Sequence, residues 1–262
     1  MPKKIRLDVA VHERGLAHSR AKAQGLIMAG EVLVNGEAVD KAGTRITDAD
    51  DITIKNRPRF VSRGGEKLAG ALVDFDYDPT GKIAADVGAC TGGFTDCLLQ
   101  NDAQRVYAID VGYGQLDYRL RTDDRVVVIE RTNARYLESL AEPVGLVVID
   151  ASFISLKLLL PAVQKWLKPQ ADIIALIKPQ FEAGKSDVGK GGIVRDADVH
   201  RRVLEETLAF TEQAGLHTVD LTHSSVKGST GNQEFLVWLS NTPPTHALKA
   251  AQLIKRTLAA SE

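Results

Sequence analysis

The stretch 86-DVGACTGGFTDCLL-99 decides the architecture of this 262-residue chain. An apolar run, 83-IAADV-87, leads into it. Glycines at 88, 92 and 93 then break the run, and Phe94, Cys97 and Leu98 recur at the spacing of one helix face. Strand, tight turn and helix N-terminus follow in order. Such a junction offers unpaired backbone N–H groups and the positive end of a helix dipole, so it suits a phosphate, a pyrophosphate or a carboxylate.

The same alternation continues toward the C-terminus. Apolar runs predict strands at 83–87, 106–110, 126–130, 145–150, 172–178, 217–222 and 234–239, with helices near 66–74, 94–100, 156–167 and 197–214. Strand alternating with helix means a parallel sheet covered on both faces. The last two strands are joined without a helix, so the final one is expected to run antiparallel beside its neighbours. The segment after Ser240 reads as a proline break and one amphipathic helix.

The first sixty residues follow another pattern. Residues 5–15 predict a short amphipathic helix ending at Gly15, and 19–30 a second, with Ser19 as N-cap and Gly30 past its end. Val32 and Val34 alternate before the Asn35-Gly36 turn of a tight hairpin, and 44-TRITDADDITI-54 supplies a further short strand. Two helices and a small sheet make a meagre core, suited to an appended α+β module at 1–58. A basic, glycine-containing linker at 59–65 leads to a second domain at 66–262.

Composition narrows the function classes. Residues 1–60 hold eleven Lys/Arg against eight Asp/Glu in a chain of formal charge −1, so the basic module points to a polyanionic partner. No run reaches the roughly 20 apolar residues of a membrane span, and the N-terminus lacks the apolar core of a signal peptide. A cytoplasmic protein without membrane attachment is expected. Two cysteines and no C-x-x-C predict neither a disulfide framework nor a metal site. Oligomeric state is not legible.

The glycine pattern separates cofactor classes. A dinucleotide loop reads G-x-G-x-x-G, whereas Gly88, Gly92 and Gly93 read G-x-x-x-G-G, with Cys90 at the middle glycine's place. D-x-G-x-x-x-G-G resembles the first motif of S-adenosylmethionine-dependent methyltransferases, whose usual frame is a Rossmann-like, mostly parallel sheet of seven strands. The resemblance implies that Asp86, Gly88, Ala89, Cys90, Thr91, Gly92, Gly93 and Phe94 surround the cofactor. It adds Asp110 and Val111 after the second strand, with Asp110 accepting from the ribose hydroxyls, and Asn133, Ala134 and Asp150 farther on. A second glycine stretch, 184-GKSDVGKGG-192, fits a P-loop only in part, because Gly191 stands where a magnesium-binding Ser/Thr belongs. It is read as a mobile basic loop beside the active site. Cys90 and Cys97 are read as small apolar fillers beside the cofactor.

Four charged residues fall at matching ends of these elements. Asp150 ends the fourth strand, Lys178 the fifth, Glu234 begins the seventh, and Lys67 lies on the domain's first helix. Ligands in such sheets gather at the carboxyl ends of parallel strands. The set resembles the Lys-Asp-Lys-Glu tetrad of FtsJ-like RNA ribose 2′-O-methyltransferases, with Lys178 nearest the hydroxyl as base or as stabiliser of a developing alkoxide.

The order S-R-x-x-A, helix, G-x-V-x-V-N-G in the first module resembles the alpha-L RNA-binding motif of a small-subunit ribosomal protein and several RNA-modifying enzymes. That implies Arg6, Arg20 and Lys22 near phosphates. The basic residues Arg59 and Arg63 of the junction and Lys185 and Lys190 of the glycine loop join them as expected RNA contacts. The whole chain resembles the TlyA family, which implies ribosomal RNA or ribosomal subunits as partner, S-adenosylmethionine as cofactor, and methylation of a ribose 2′-hydroxyl of cytidine. The alternatives are an RNA base N-methyltransferase using 150-DASF-153, a non-enzymatic ribosome assembly factor, and a cytolysin, after the hemolysin label of some members.

Overall fold

The structure is a computed structural model that describes residues 4–17, 19–55, 58–244 and 248–260. The termini 1–3 and 261–262, and Asn56 and Arg57 of the junction, lie outside the described residues. The chain divides into two units, Met1–Arg59 and Phe60–Glu262.

In the smaller unit, β1 (Ile5–Arg6) precedes α1 (Leu7–Glu13), and α2 (Arg20–Met28) follows, with the Ser19 hydroxyl accepting from Lys22 N. The predicted helix at 5–15 thus starts two residues late, because Ile5 and Arg6 pair with β4 (Arg45–Ile46). β2 (Val32–Val34) and β3 (Glu37–Ala38) form the hairpin across Asn35 and Gly36, both at positive φ as a primed turn requires. The single strand expected at 44–54 is two. Asp50 accepts from Thr47 N and Oγ1, folding the chain between β4 and β5 (Ile52–Ile54), which pairs with β2. Leu7, Val11, Ile27, Val32 and Ile52 form the core.

The larger unit opens with α3 (Arg63–Asp74), whose Leu68, Ala71, Leu72 and following Phe75 bury one face. Arg63 to Gly65, read as linker, are its first turn. Phe60, also read as linker, is buried in the core, and a Cβ on Gly65 would stand 2.2 Å from its ring. The strands are β6 (Ile83–Val87), β7 (Arg105–Ile109), β8 (Val126–Ile129), β9 (Val144–Ile149), β10 (Leu167–Ile177), β11 (His217–His223) and β12 (Phe235–Ser240), in the order β11-β12-β10-β9-β6-β7-β8. β8 through β10 are parallel, and β12 runs antiparallel between β10 and β11. A seven-stranded, mostly parallel sheet follows, as the alternation predicts.

The helices α4 (Gly93–Gln100), α5 (Tyr118–Arg121), α6 (Leu156–Val163), α7 (Pro179–Glu182), α8 (Ala197–Gln213) and α9 (Ala250–Ala259) complete the unit. α6 ends four residues before the predicted boundary; a 3-10 turn over Gln164–Trp166 replaces its last turn, and β10 then starts early through an irregular register. All six residues of β9 are buried, with Leu146 and Val148 facing the layer of α3 and α4, and Val147 and Ile149 facing that of α6 and α8. Among the described residues no helix is long and apolar enough to cross a membrane.

The sequence of strands reverses direction between β6 and β9. At that switch the carboxyl ends of two adjacent parallel strands open a crevice. Gly88 leaves β6 there at φ 84°, where a Cβ would stand 2.9 Å from the Asp150 carbonyl oxygen. Steric necessity fixes that glycine.

Candidate active site

A cavity of about 640 Å³ occupies this crevice, and Lys67, Asp86, Gly88, Asp150, Lys178 and Glu234 all line it. The four charged residues therefore meet, as their strand-end positions predict. They meet as two ion pairs. Lys178 Nζ lies 2.6 Å from Asp150 Oδ1 and donates to Ser152 Oγ at 3.0 Å. Lys67 Nζ lies 2.5 Å from Glu234 Oε2. Lys67, Lys178 and Glu234 are buried, while the Asp150 side chain keeps 21% of its surface toward solvent.

Neighbouring groups hold each pair. Gln180 Nε2 donates to Glu234 Oε1 at 3.4 Å, and the turn at Gly228 packs so close that a Cβ would fall 2.5 Å from the same oxygen. Gln180 Oε1 is buried without a hydrogen-bond partner among the described residues. Neither Gln180 nor Ser152 stood out in the sequence, although each lies two residues past a strand end already singled out.

Asp86 forms the floor of the cavity. Its Oδ2 accepts from Thr95 N at 2.9 Å and Thr95 Oγ1 at 2.7 Å, while Oδ1 is buried with no partner among the described residues. Burial pushes its carboxyl up to about 7, against the pull of the Thr95 bonds and with added repulsion from Asp150. The N-termini of α3 and α4 converge beside it, because a Cβ on Gly93 would stand 2.3 Å from Ser62 Oγ and 2.8 Å from Gly65 N. An unpartnered buried carboxylate oxygen and two positive helix ends fit the ammonium and carboxylate of an amino-acid group. Of the loop residues, Ala89, Cys90, Thr91 and Phe94 also line the cavity. Gly92 shapes the turn at φ 95°.

Other residues assigned to the cofactor stand elsewhere. Asp110 accepts from Cys90 N at 2.8 Å and Gly112 N at 2.7 Å, in a side space of about 10 Å³. Val111 is exposed, Ala134 belongs to the core, and the Asn133 side chain accepts from Arg135 N. The two cysteines, both read as small fillers beside the cofactor, sit in different surroundings. Cys97 is buried on α4, whereas Cys90 is exposed at φ 49°, a left-handed bend that the tight loop imposes.

The cavity mouth carries an aromatic pair. Phe153, 91% exposed at φ 62°, packs against Phe181 with centroids 5.1 Å apart. An exposed aromatic in a left-handed conformation is a costly arrangement, and such strain gathers at functional sites. Glu182 fixes the geometry by accepting from Ser155 Oγ at 2.6 Å and Leu156 N at 2.8 Å, which ties α7 to the start of α6. The sequence showed both phenylalanines without showing that they touch.

The glycine stretch 184–192 is a tethered hairpin. Gly189 bridges Ile193, Asp187 pairs with Arg202, and buried Asn232 donates to Gly192 O and accepts from Val194 N. Lys185 and Lys190 are exposed on it, and Arg63 is exposed at the cavity rim. In the smaller unit, Arg20 and Lys22 are exposed on α2, Arg6 is half-buried on β1, and Arg59 is exposed at the unit's end.

Residues 60–241 match the model of the FtsJ-like methyltransferase family, and residues 5–52 that of the S4 domain. A Bacillus subtilis protein provisionally named rRNA methyltransferase YqxC is 50% identical over 90% of this chain and 86% of its own length. The 16S/23S rRNA (cytidine-2′-O)-methyltransferase TlyA of Mycobacterium tuberculosis is 44% identical over 97% of this chain and 96% of its own. A solved Streptococcus thermophilus chain carrying a provisional hemolysin name is 42% identical at a TM-score of 0.72, covering 98% of this chain and 96% of that one.

Proposed function

This chain belongs to the FtsJ-like methyltransferase family and carries an S4 domain, and from that premise we propose that it transfers a methyl group from S-adenosylmethionine to a cytidine ribose 2′-hydroxyl of ribosomal RNA. The observation that carries the reading is a single cavity holding both ion pairs and the unpartnered Asp86 oxygen. In this reading Asp86, Gly88, Gly93 and the paired helix N-termini hold the amino-acid end of the cofactor. When bound, the cofactor supplies an activated methyl on a sulfonium.

The chain's own residues supply alignment. An ammonium has three donors. Lys178 spends two, on Asp150 and Ser152, and the third is left for the ribose oxygen: as the carbon–oxygen bond forms and the carbon–sulfur bond breaks, the hydroxyl proton leaves to water at the cavity mouth, while the ammonium orients the oxygen and stabilises its developing negative charge. Asp150 fixes Lys178 and borders the reacting atoms. Lys67 and Glu234 form the second pair in the same cavity, with Gln180 donating to Glu234. The exposed ring of Phe153, propped at 48° against Phe181, offers an apolar face of the kind that stacks an unstacked base, as single-stranded RNA recognition demands. The smaller unit supplies affinity through phosphate contacts, and the reaction places the protein with cytoplasmic ribosomes.

The deciding experiment incubates the purified protein with undermodified small and large ribosomal subunits and methyl-labelled cofactor, followed by nucleoside analysis. Label is expected on the 2′-oxygen of cytidine. Label on a base alone overturns the ribose assignment, and cofactor binding without transfer to either subunit overturns the enzymatic one.

A further inference from the structure

In the smaller unit one carboxylate serves two cations. Asp8 is fully buried on α1, and its Oδ1 accepts from Arg6 Nε at 2.9 Å and Val9 N at 3.0 Å. Its Oδ2 accepts from Arg6 Nη2 at 3.1 Å, Arg20 Nε at 3.0 Å and Gln24 Nε2 at 2.7 Å. These donors, Arg6 first, hold the carboxyl below the usual carboxylate range against the cost of burial. The arginine side chains themselves remain 41% and 52% exposed.

A structural ion pair needs one arginine for one aspartate. Here the group carries an excess positive charge, and that charge faces outward. Arg6 Nη1 and both terminal nitrogens of Arg20 have no hydrogen-bond partner among the described residues. Arg6 Nη2 and Arg20 Nε both bond Oδ2, so these two nitrogens stand no farther apart than two hydrogen-bond lengths. Gly43 packs beside the Arg6 guanidinium, where a Cβ would stand 3.3 Å from Nη1. Two planar forks, held close by one buried anion with donors to spare, match the oxygens of a single phosphate group.

We propose that Asp8 is a positioning residue that aligns Arg6 and Arg20 as a two-armed clamp for one phosphate of the RNA backbone. The proposal rests on the reading of this unit as RNA-binding. It differs from a plain basic patch in the sign of one effect. Replacing Asp8 by a neutral residue makes the unit more positive, and long-range attraction alone would then tighten RNA binding. Loss of alignment weakens it.

The test measures binding of the full chain to purified undermodified small and large ribosomal subunits across a salt titration, with circular dichroism and thermal unfolding as fold controls. Asp8→Asn is expected to weaken binding about tenfold, the scale of a lost charge-assisted contact. In the background of Arg6→Lys with Arg20→Lys, which keeps charge and removes the forks, Asp8→Asn is expected to add no further loss. Equal or tighter binding by a folded Asp8→Asn protein overturns the proposal, as does a full tenfold loss in the double-lysine background. If Asp8→Asn does not fold, the surface lysine variants decide. Each single change costing nearly as much as both together supports one shared phosphate, and additive losses overturn it. Unchanged binding by Arg6→Ala with Arg20→Ala overturns the RNA reading of the unit itself.

Discussion

Lys67 and Glu234 are 167 residues apart in sequence, yet their charged atoms lie 2.5 Å apart with both side chains almost wholly buried. Removing one partner strands the other charge inside the protein, at a cost of roughly 3–5 kcal/mol. Glu234→Gln and Lys67→Met should each lower the unfolding midpoint strongly. The double variant Lys67→Met with Glu234→Leu should recover much of that stability while remaining inactive. Thermal unfolding of all three variants beside methyl transfer checks this, and a stable, active double variant would remove the pair from the mechanism.

Lys178 should matter for turnover and little for binding. Its proposed contact with the ribose oxygen gains strength in the transition state, so Lys178→Ala should lose about a hundredfold or more in kcat, the scale of one lost electrostatic donor. Lys178→Arg should also be poor, because a planar fork does not reproduce the reach of an ammonium. Single-turnover rates with cofactor and RNA saturating are the measurement. Near-normal rates would show that another group faces the hydroxyl.

Asp86 sets a pH dependence. Its carboxyl is raised to about 7 in the folded protein and ionises near 4 when unfolded, so folding takes up a proton between those values. Its contribution to stability is therefore greatest below pH 4, declines as pH rises toward 7 and is level above that. If Asp86 holds the cofactor's ammonium, as proposed, binding requires the ionised form, and affinity should rise from pH 6 to 8. Asp86→Asn should flatten both profiles, as urea unfolding and calorimetric titration with S-adenosylhomocysteine across that range will show.

Phe153 is expected to trade stability for activity. Stacking on an aromatic is worth about 1–3 kcal/mol per base, so Phe153→Ala should raise the KM for subunits severalfold or more while leaving cofactor affinity alone. Phe153→Gly should be as impaired in activity, yet at least as stable as the parent, because glycine adopts φ 62° without strain. A fall in melting temperature with unchanged KM would assign the ring a packing role instead.

The sheet was legible because its central strands are continuous apolar runs, as in 144-VGLVVI-149, and its glycine loop is sterically forced. The four charged site residues were legible from their place at strand ends. What escaped depends on partners distant in sequence. β4 is too short and polar to read alone and exists because Ile5 and Arg6 pair with it. The division of the tetrad into two pairs, and the roles of Ser152 and Gln180, follow from side-chain directions that no periodicity encodes. Asp8 did leave a trace, an acid on the buried face of a helix beside Arg6, whose meaning required Arg20 and Gln24 from the next helix.

The position of β12 has a consequence for how the protein is made. It is the last strand among the described residues, yet it lies between β10 and β11, and Glu234 stands immediately before its first residue, Phe235. A growing chain emerges N-terminus first, so the smaller unit and five parallel strands leave the ribosome while the cavity still lacks Glu234 from its lining. On the proposed assignment, each molecule becomes competent only once synthesis has passed residue 240, and chains released early would carry the smaller unit without a finished site.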